Sequence, residues 1–238
     1  MRLRSFLRMF SKADITTVLM DVDDTLLDFK ECARENVRGC CRKNGIEYSD
    51  SMFEFFLSRN IVLWKRIEDG LLTVDELHRT RWAGIFRDLG IEADGPAFEL
   101  DFIAGLRETH VPVSGAHKVM EYLKNRYKVY VVSNASNLQQ STRLGKAGLM
   151  QYVDGVFGSL DIGFNKPSKE YFDYCFSQLP GTAPAQTVII GDSLNADISG
   201  GSAYGLHTIW FNIRNVEPSD STSPDYTIHS LGEIPTIL

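Results

Sequence analysis

The chain has 238 residues, 43% hydrophobic and 24% charged, an ordinary balance for a globular protein and long enough to bury a core without disulfides or structural metal. Lys and Arg number 25 against 31 Asp and Glu, a formal net charge of −6, which is the wrong sign for a binder of nucleic-acid polymers. No apolar run approaches the roughly 20 residues of a membrane span, so a membrane-spanning class is excluded along with disorder and disulfide scaffolds.

Residues 1–13 form a basic N-terminal extension, with Arg2, Arg4, Arg8 and Lys12 ahead of the first acid, Asp14. Its arginines interrupt every apolar run, so it reads as a solvated arm and not a signal peptide. Ile15 to Val22 is a short β-branched and apolar run, a buried strand that ends in the polar stretch Asp21-Val22-Asp23-Asp24-Thr25. From about Lys30 to His110 the texture is helical and carries no strand. Cys32 to Gly45 reads as one helix. Phe53, Phe56, Leu57, Asn60, Ile61, Trp64 and Ile67 recur at three- and four-residue spacing and form one face of a second. Thr73 caps a third, with Glu76 completing a capping box, Leu77, Ile85, Phe86 and Leu89 on its apolar side and Gly90 as its stop. Pro96 to Thr109 reads as a fourth.

Beyond Pro112 helices and strands alternate: a helix over Ala116–Asn125, a strand over Lys128–Ser133, and helices over Asn137–Gly148 and Ser168–Leu179. Thr187–Gly191 is a buried strand, a helix follows near Asn195 with Gly205 as its C-cap, and His207–Phe211 is a further strand. Glu217 to Asp225 is a loop, and Tyr226–Ile228 a last short strand before a terminal turn of helix. Alternation of apolar strands with helices predicts an α/β protein with a parallel sheet covered on both faces. The expected division is a core of residues 14–29 and 111–238, interrupted by an all-helical insertion over 30–110. Cys32, Cys40, Cys41 and Cys175 form no C-x-x-C pair and have no histidine at zinc-ligand spacing, which suits a reduced, cytoplasmic chain.

Ligands of open α/β sheets bind beyond the carboxyl ends of the strands. Three strand ends here are rich in chemistry: Asp21 and Asp23 after the first, Ser133 and Asn134 after the second, Asp192 and Asp197 after another. Lys166 precedes Pro167 at the entry to a helix. Carboxylates gathered at one sheet edge repel unless a cation sits among them, and an oxygen-only donor set favours Mg²⁺. Lys166 and the Ser133 hydroxyl then supply positive charge and a donor for an anionic substrate, most naturally a small phosphorylated metabolite. Asp24 and Asp28 read as turn residues, and the five scattered histidines as no ligand set.

D-x-D-x-T at 21–25, strand-final Ser133, Lys166-Pro167 and G-D-S-x-N-x-D over 191–197 together resemble the four motifs of the haloacid dehalogenase superfamily, in order and in approximate spacing. The resemblance implies a Rossmann-like three-layer core with an inserted helical cap, and a Mg²⁺-dependent phosphohydrolase. It implies that Asp21 is the nucleophile that forms an aspartyl-phosphate and that Asp23 is the general acid and then the base. Asp21, the Asp23 backbone carbonyl and Asp192 would hold the metal, with Asp197 ordering metal waters or Lys166. Ser133, Asn134 and Lys166 would bind the phosphoryl group. Halide-removing members generally lack the second aspartate, so Asp23 favours a phosphate ester. Hinges are expected near Leu27–Lys30 and Val111–Ser114.

Within the insertion, Leu63-Trp64, Gly70, Thr73, Leu77 and Arg81-Trp82 are similar to a branch that includes pyrimidine and non-standard nucleotide 5′-nucleotidases and flavin mononucleotide phosphatases. Trp64 or Trp82 would then stack a base and Arg81 reach a phosphate or carbonyl. The competing reading packs Trp64 into the helical core and gives Arg81 a surface ion pair. Two alternatives to nucleotide hydrolysis stay open: a phosphosugar mutase or sugar-phosphate phosphatase of the same superfamily, and a catalytically silent binding module.

Overall fold

The computed structural model describes residues 12–217 and 222–238; most of the basic arm and the tip of the loop before the last strand lie outside the described residues. In chain order the elements are β1 (Thr17–Met20), α1 (Phe29–Asn44), α2 (Asp50–Glu68), α3 (Val74–Leu89), α4 (Gly95–Leu106), α5 (Ala116–Lys124) and β2 (Lys128–Ser133). There follow α6 (Asn137–Lys146), β3 (Gly155–Gly158), α7 (Ser159–Ile162), α8 (Lys169–Ser177), β4 (Thr187–Gly191), α9 (Gly200–Tyr204), β5 (His207–Phe211), β6 (Tyr226–Ile228) and α10 (Ile234–Ile237). A π-helical turn over Leu194–Ser199 leads into α9. The chain divides into two compact units: the described residues up to Leu27 together with Pro112–Leu238, and Asp28–Val111.

The first unit is built on a parallel sheet of six strands in the order β3-β2-β1-β4-β5-β6. Alternation of side chains along each strand sorts the apolar residues into two cores. Val18 and Met20 of β1 join Val129, Val131, Val188 and Ile190 on one face, under Val119, Met120 and Leu123 of α5 and Leu144 of α6. Leu19 joins Val132 and Ile189 on the other, under Tyr171, Phe172 and Cys175 of α8. Helices on both faces make the three layers that the strand pattern predicts. Each fully buried aliphatic side chain contributes about 1.5–3 kcal/mol, so the register Met20↔Val131 and Met20↔Ile190 is held from both faces. It brings Asp21, Ser133 and Gly191 to one sheet edge. Strand β3, Gly-Val-Phe-Gly, is absent from the elements read from sequence: its two apolar residues lie between glycines, which read as turn punctuation.

The second unit is the four helices α1–α4. Asp28 opens it by capping α1, its Oδ1 accepting from the Glu31 N–H at 2.9 Å, and Thr73 with Glu76 forms the expected capping box on α3. Its core is aromatic: Trp82 stacks on Phe56 at 5.0 Å between ring centroids and lies 4.4 Å from Phe98 and 5.6 Å from Phe102. No helix among the described residues is long and apolar enough to cross a membrane.

Candidate active site

The site forms where β1, β2 and β4 end. Asp21 follows β1 directly; its N–H continues the ladder to the Ile190 carbonyl at 2.9 Å, which pins the carboxylate over the sheet edge. The chain then closes a tight loop in which the Val22 carbonyl accepts from Leu26 and Leu27 N–H at 2.8 Å each. Asp24 takes the left-handed φ of 57° that the loop requires, a conformation Asp tolerates better than most residues.

Lys166 lies between α7 and α8 with its side chain 2% exposed. Its Nζ donates to Asp21 Oδ1 at 2.8 Å, Asp197 Oδ1 at 2.7 Å and the Val132 carbonyl at 3.1 Å. The second oxygen of Asp197 accepts from the Ser193 N–H at 3.1 Å. Gly191 makes this approach possible, since a Cβ there would run into the Asp197 carboxylate. Asp192 is placed by the Trp210 indole, whose Nε1 donates to its carbonyl at 2.9 Å, and by Arg214, whose Nη2 reaches its Oδ2 at 2.9 Å and also Asp24.

Asp21, Asp192 and Asp197 each bring a carboxylate oxygen within 4.8 Å of the other two. Burial, opposed by Lys166 and reinforced by Asp197, pushes Asp21 up to about 7. Burial and the Asp21 and Asp24 charges push Asp192 well above the usual carboxylate range. Burial alone would lower Lys166, but Asp197 and Asp21 outweigh it and raise its affinity for its proton. Lys166 is therefore an ammonium, but Lys166 and Arg214 together do not balance Asp21, Asp24, Asp192 and Asp197. A carboxylate-only donor set with negative charge in surplus fits a hard divalent ion such as Mg²⁺.

Ser133 ends β2 buried. Its N–H donates to the Tyr171 hydroxyl at 3.1 Å, which in turn donates to the Phe157 carbonyl at 2.7 Å. Its Oγ accepts from Gln140 Nε2 at 2.8 Å, and the same nitrogen donates to Asp23 Oδ2 at 2.9 Å. The Asn134 side-chain amide is engaged with the Lys166 backbone, so its main chain is the part of Asn134 left to meet a phosphate.

Asp21, Asp23, Ser133, Asn134, Lys166, Asp192 and Asp197 thus converge. Trp64 and Arg81 belong to the helical unit. Trp64 is half-buried beside Ile67, Val74 and Leu77. Arg81 is buried within the unit, donating to Glu99 Oε1 at 2.6 Å and Oε2 at 3.2 Å and to Asn60 Oδ1 at 2.8 Å. That internal pairing corrects both readings of Arg81, as substrate contact and as surface pair. Trp82, fully buried among Phe56, Phe98 and Phe102, has no face to offer a base. Gln140, Arg143, Tyr171, Trp210 and Arg214 escape sequence reasoning, since each reads as an ordinary helix or strand residue until its partner is known.

A family model of haloacid dehalogenase-like hydrolases matches residues 15–205. The HAD-hydrolase YfnB of Bacillus subtilis is 36% identical over 93% of this chain and 94% of its own length. The pyrimidine 5′-nucleotidase PynA of Streptococcus pneumoniae is 30% identical over 91% of this chain and 92% of its own. The crystal structure of YfnB bound to magnesium superposes with a TM-score of 0.90, covering 94% of this chain and 98% of that one.

Proposed function

Because the chain belongs to the haloacid dehalogenase-like hydrolase family and is an enzyme of its phosphatase kind, we propose that it hydrolyses a small phosphomonoester in a Mg²⁺-dependent reaction, with the phosphoryl group carried on Asp21. The observation that carries this reading is the Lys166 ammonium set between Asp21 and Asp197. With one Asp21 oxygen held by a buried cation, the other is oriented to attack phosphorus.

Asp21, Asp192 and the Asp23 backbone carbonyl would hold Mg²⁺. When bound, the ion supplies charge neutralisation to the phosphate. Lys166, the Ser133 hydroxyl and the Asn134 main chain donate to phosphoryl oxygens, whose charge spreads during transfer. As the ester P–O bond breaks, Asp23 gives its proton to the departing oxygen. The resulting carboxylate then takes a proton from the water that attacks phosphorus, and the bond to Asp21 breaks. Asp197 keeps Lys166 in place.

We assign a nucleoside 5′-monophosphate as the substrate, supported by the likeness to PynA over nearly the whole chain. Trp64, which keeps partial exposure, is the residue of the helical unit assigned to stack the base. A cytoplasmic setting suits the four free, buried cysteines. Purified protein with Mg²⁺, given a panel of phosphomonoesters that includes pyrimidine nucleotides and flavin mononucleotide, is expected to release phosphate. Asp21→Asn is expected to abolish release; undiminished release by that variant would sink the nucleophile assignment. Isomerisation of a sugar phosphate outpacing hydrolysis would redirect the function to a mutase.

A further inference from the structure

We propose that Gln140 and Arg143 are positioning residues for Asp23, fixing its carboxylate for both proton transfers of the phosphatase reaction proposed above, on which this assignment rests. The two lie three residues apart on α6 and so share one face of that helix. Arg143 Nη1 donates to Asp23 Oδ1 at 2.6 Å, and Gln140 Nε2 donates to Asp23 Oδ2 at 2.9 Å. Arg143 Nη1 also reaches Gln140 Oε1 at 3.2 Å, so the two side chains brace each other.

The burial of the three groups is unequal. Arg143 has no exposed side-chain surface and Gln140 is fully buried, whereas the Asp23 side chain is 32% exposed. Taking a guanidinium out of water is costly, and an apolar side chain of similar size would occupy such a position at less cost. Filling space alone therefore does not call for an arginine at position 143. An aspartate at a loop tip otherwise hops among staggered rotamers. One donor on each carboxylate oxygen locks both of its torsions and leaves each oxygen a second lone pair, where the transferred proton can sit. Gln140 also ties Asp23 to the Ser133 hydroxyl through the shared Nε2. The proton donor and a phosphoryl-binding group are thereby held in one frame.

The chemistry separates positioning from packing. In the first step a proton leaves Asp23 for the ester oxygen while the ester P–O bond breaks and the bond from Asp21 to phosphorus forms. An alcohol leaving group needs that proton; a 4-nitrophenolate leaves without it. The experiment measures kcat/KM, which reads events through departure of the leaving group, on a nucleoside 5′-monophosphate and on 4-nitrophenyl phosphate. The variants are Gln140→Met, which keeps volume, Arg143→Lys, which keeps charge, and Asp23→Asn as reference.

Asp23→Asn is expected to lose about 100-fold or more on the nucleotide relative to the aryl ester, the scale of a lost general acid. Gln140→Met and Arg143→Lys are expected to show the same selective loss, about tenfold, because a misplaced acid retains part of its effect. Equal losses on both substrates, or no loss, would overturn the assignment. If thermal unfolding shows that Arg143→Lys does not fold, Gln140→Met decides alone. Absence of Mg²⁺-dependent hydrolysis by the natural sequence would instead overturn the phosphatase function, and full activity of Asp21→Asn would overturn the aspartyl-phosphate route. Hydrolysis that depends on Asp21 but is lost without selectivity in Gln140→Met overturns only the positioning role.

Discussion

Asn134 and Lys166 hold each other at both ends of one amide: Asn134 Nδ2 donates to the Lys166 carbonyl at 3.0 Å, and the Lys166 N–H donates to Asn134 Oδ1 at 2.8 Å. This ties the loop before α8 to the end of β2. It sets the root of the side chain whose Nζ bridges Asp21 and Asp197. Removing the amide leaves the ammonium attached to a loosened backbone. Asn134→Ala is expected to lower kcat by roughly 10–100-fold, about 1.4–2.7 kcal/mol of transition-state stabilisation. Steady-state kinetics would check this. Asn134→Asp, which keeps the acceptor but loses the donor, is expected to fall between the alanine variant and the natural sequence.

Metal removal tests the carboxylate cluster. Asp21 and Asp192, both raised by burial, repel when ionised together, and a divalent ion relieves that repulsion. Mg²⁺ is therefore expected to raise the unfolding temperature of the chelator-treated protein. At a concentration of 100 times its dissociation constant the gain is about 2.7 kcal/mol. Asp192→Asn is expected to shrink the gain and to abolish Mg²⁺-dependent turnover. Scanning calorimetry with and without Mg²⁺ reads the first effect, and an equal gain in both proteins would remove Asp192 from the ligand set.

The parts of the site legible in the sequence follow apolar runs or, for Lys166, precede a proline at a helix entry. Asp21 and Asp192 each end a strand whose periodicity is plain, and parallel pairing then forces those ends together. Gln140 and Arg143 were not legible, because a glutamine and an arginine on a helix look solvated until the sheet edge that they face is known. Arg81 failed for a related reason. Its partner Glu99 is on another helix, 18 residues away, and nothing local marks either as buried. Strand β3 escaped detection because its two apolar residues, Val156 and Phe157, lie between glycines. Its neighbour β2 needs it only as an edge, so Gly155 and Gly158 suffice where a central strand would demand β-branched residues.

The Arg81–Glu99 pair makes a stability prediction for the helical unit. Both side chains are almost without exposure, and Arg81 Cζ also lies 4.7 Å from the Phe102 ring centroid. Burial pushes the Glu99 carboxyl up, while Arg81 pulls it down. Glu99→Ala leaves a guanidinium buried without its counter-charge and is expected to destabilise the protein by about 3–5 kcal/mol. Arg81→Met combined with Glu99→Leu removes both charges and is expected to recover most of that loss. Denaturant unfolding of the single and double variants would check this, and additive losses would show that the charges do not act as a pair.

Asp154 makes its own contribution to the pH dependence of the core unit. Burial works to raise its carboxyl, but the Lys124 ammonium at 2.6 Å and the Val129 N–H at 2.8 Å outweigh burial and hold it below the ordinary value. A carboxyl depressed in the folded state contributes stability above its unfolded pKa, about 3.9, and loses it as pH falls through the folded value. Lys124 is 35% exposed, so solvent screens the pair and its worth is about 0.5–1 kcal/mol. Asp154→Ala is therefore expected to unfold more easily than the natural sequence at neutral pH. Urea titrations at successively lower pH would follow the gap, which should close once the medium is more acidic than the folded pKa. A gap that stays constant into strong acid would mean that Asp154 acts through packing and not through its charge.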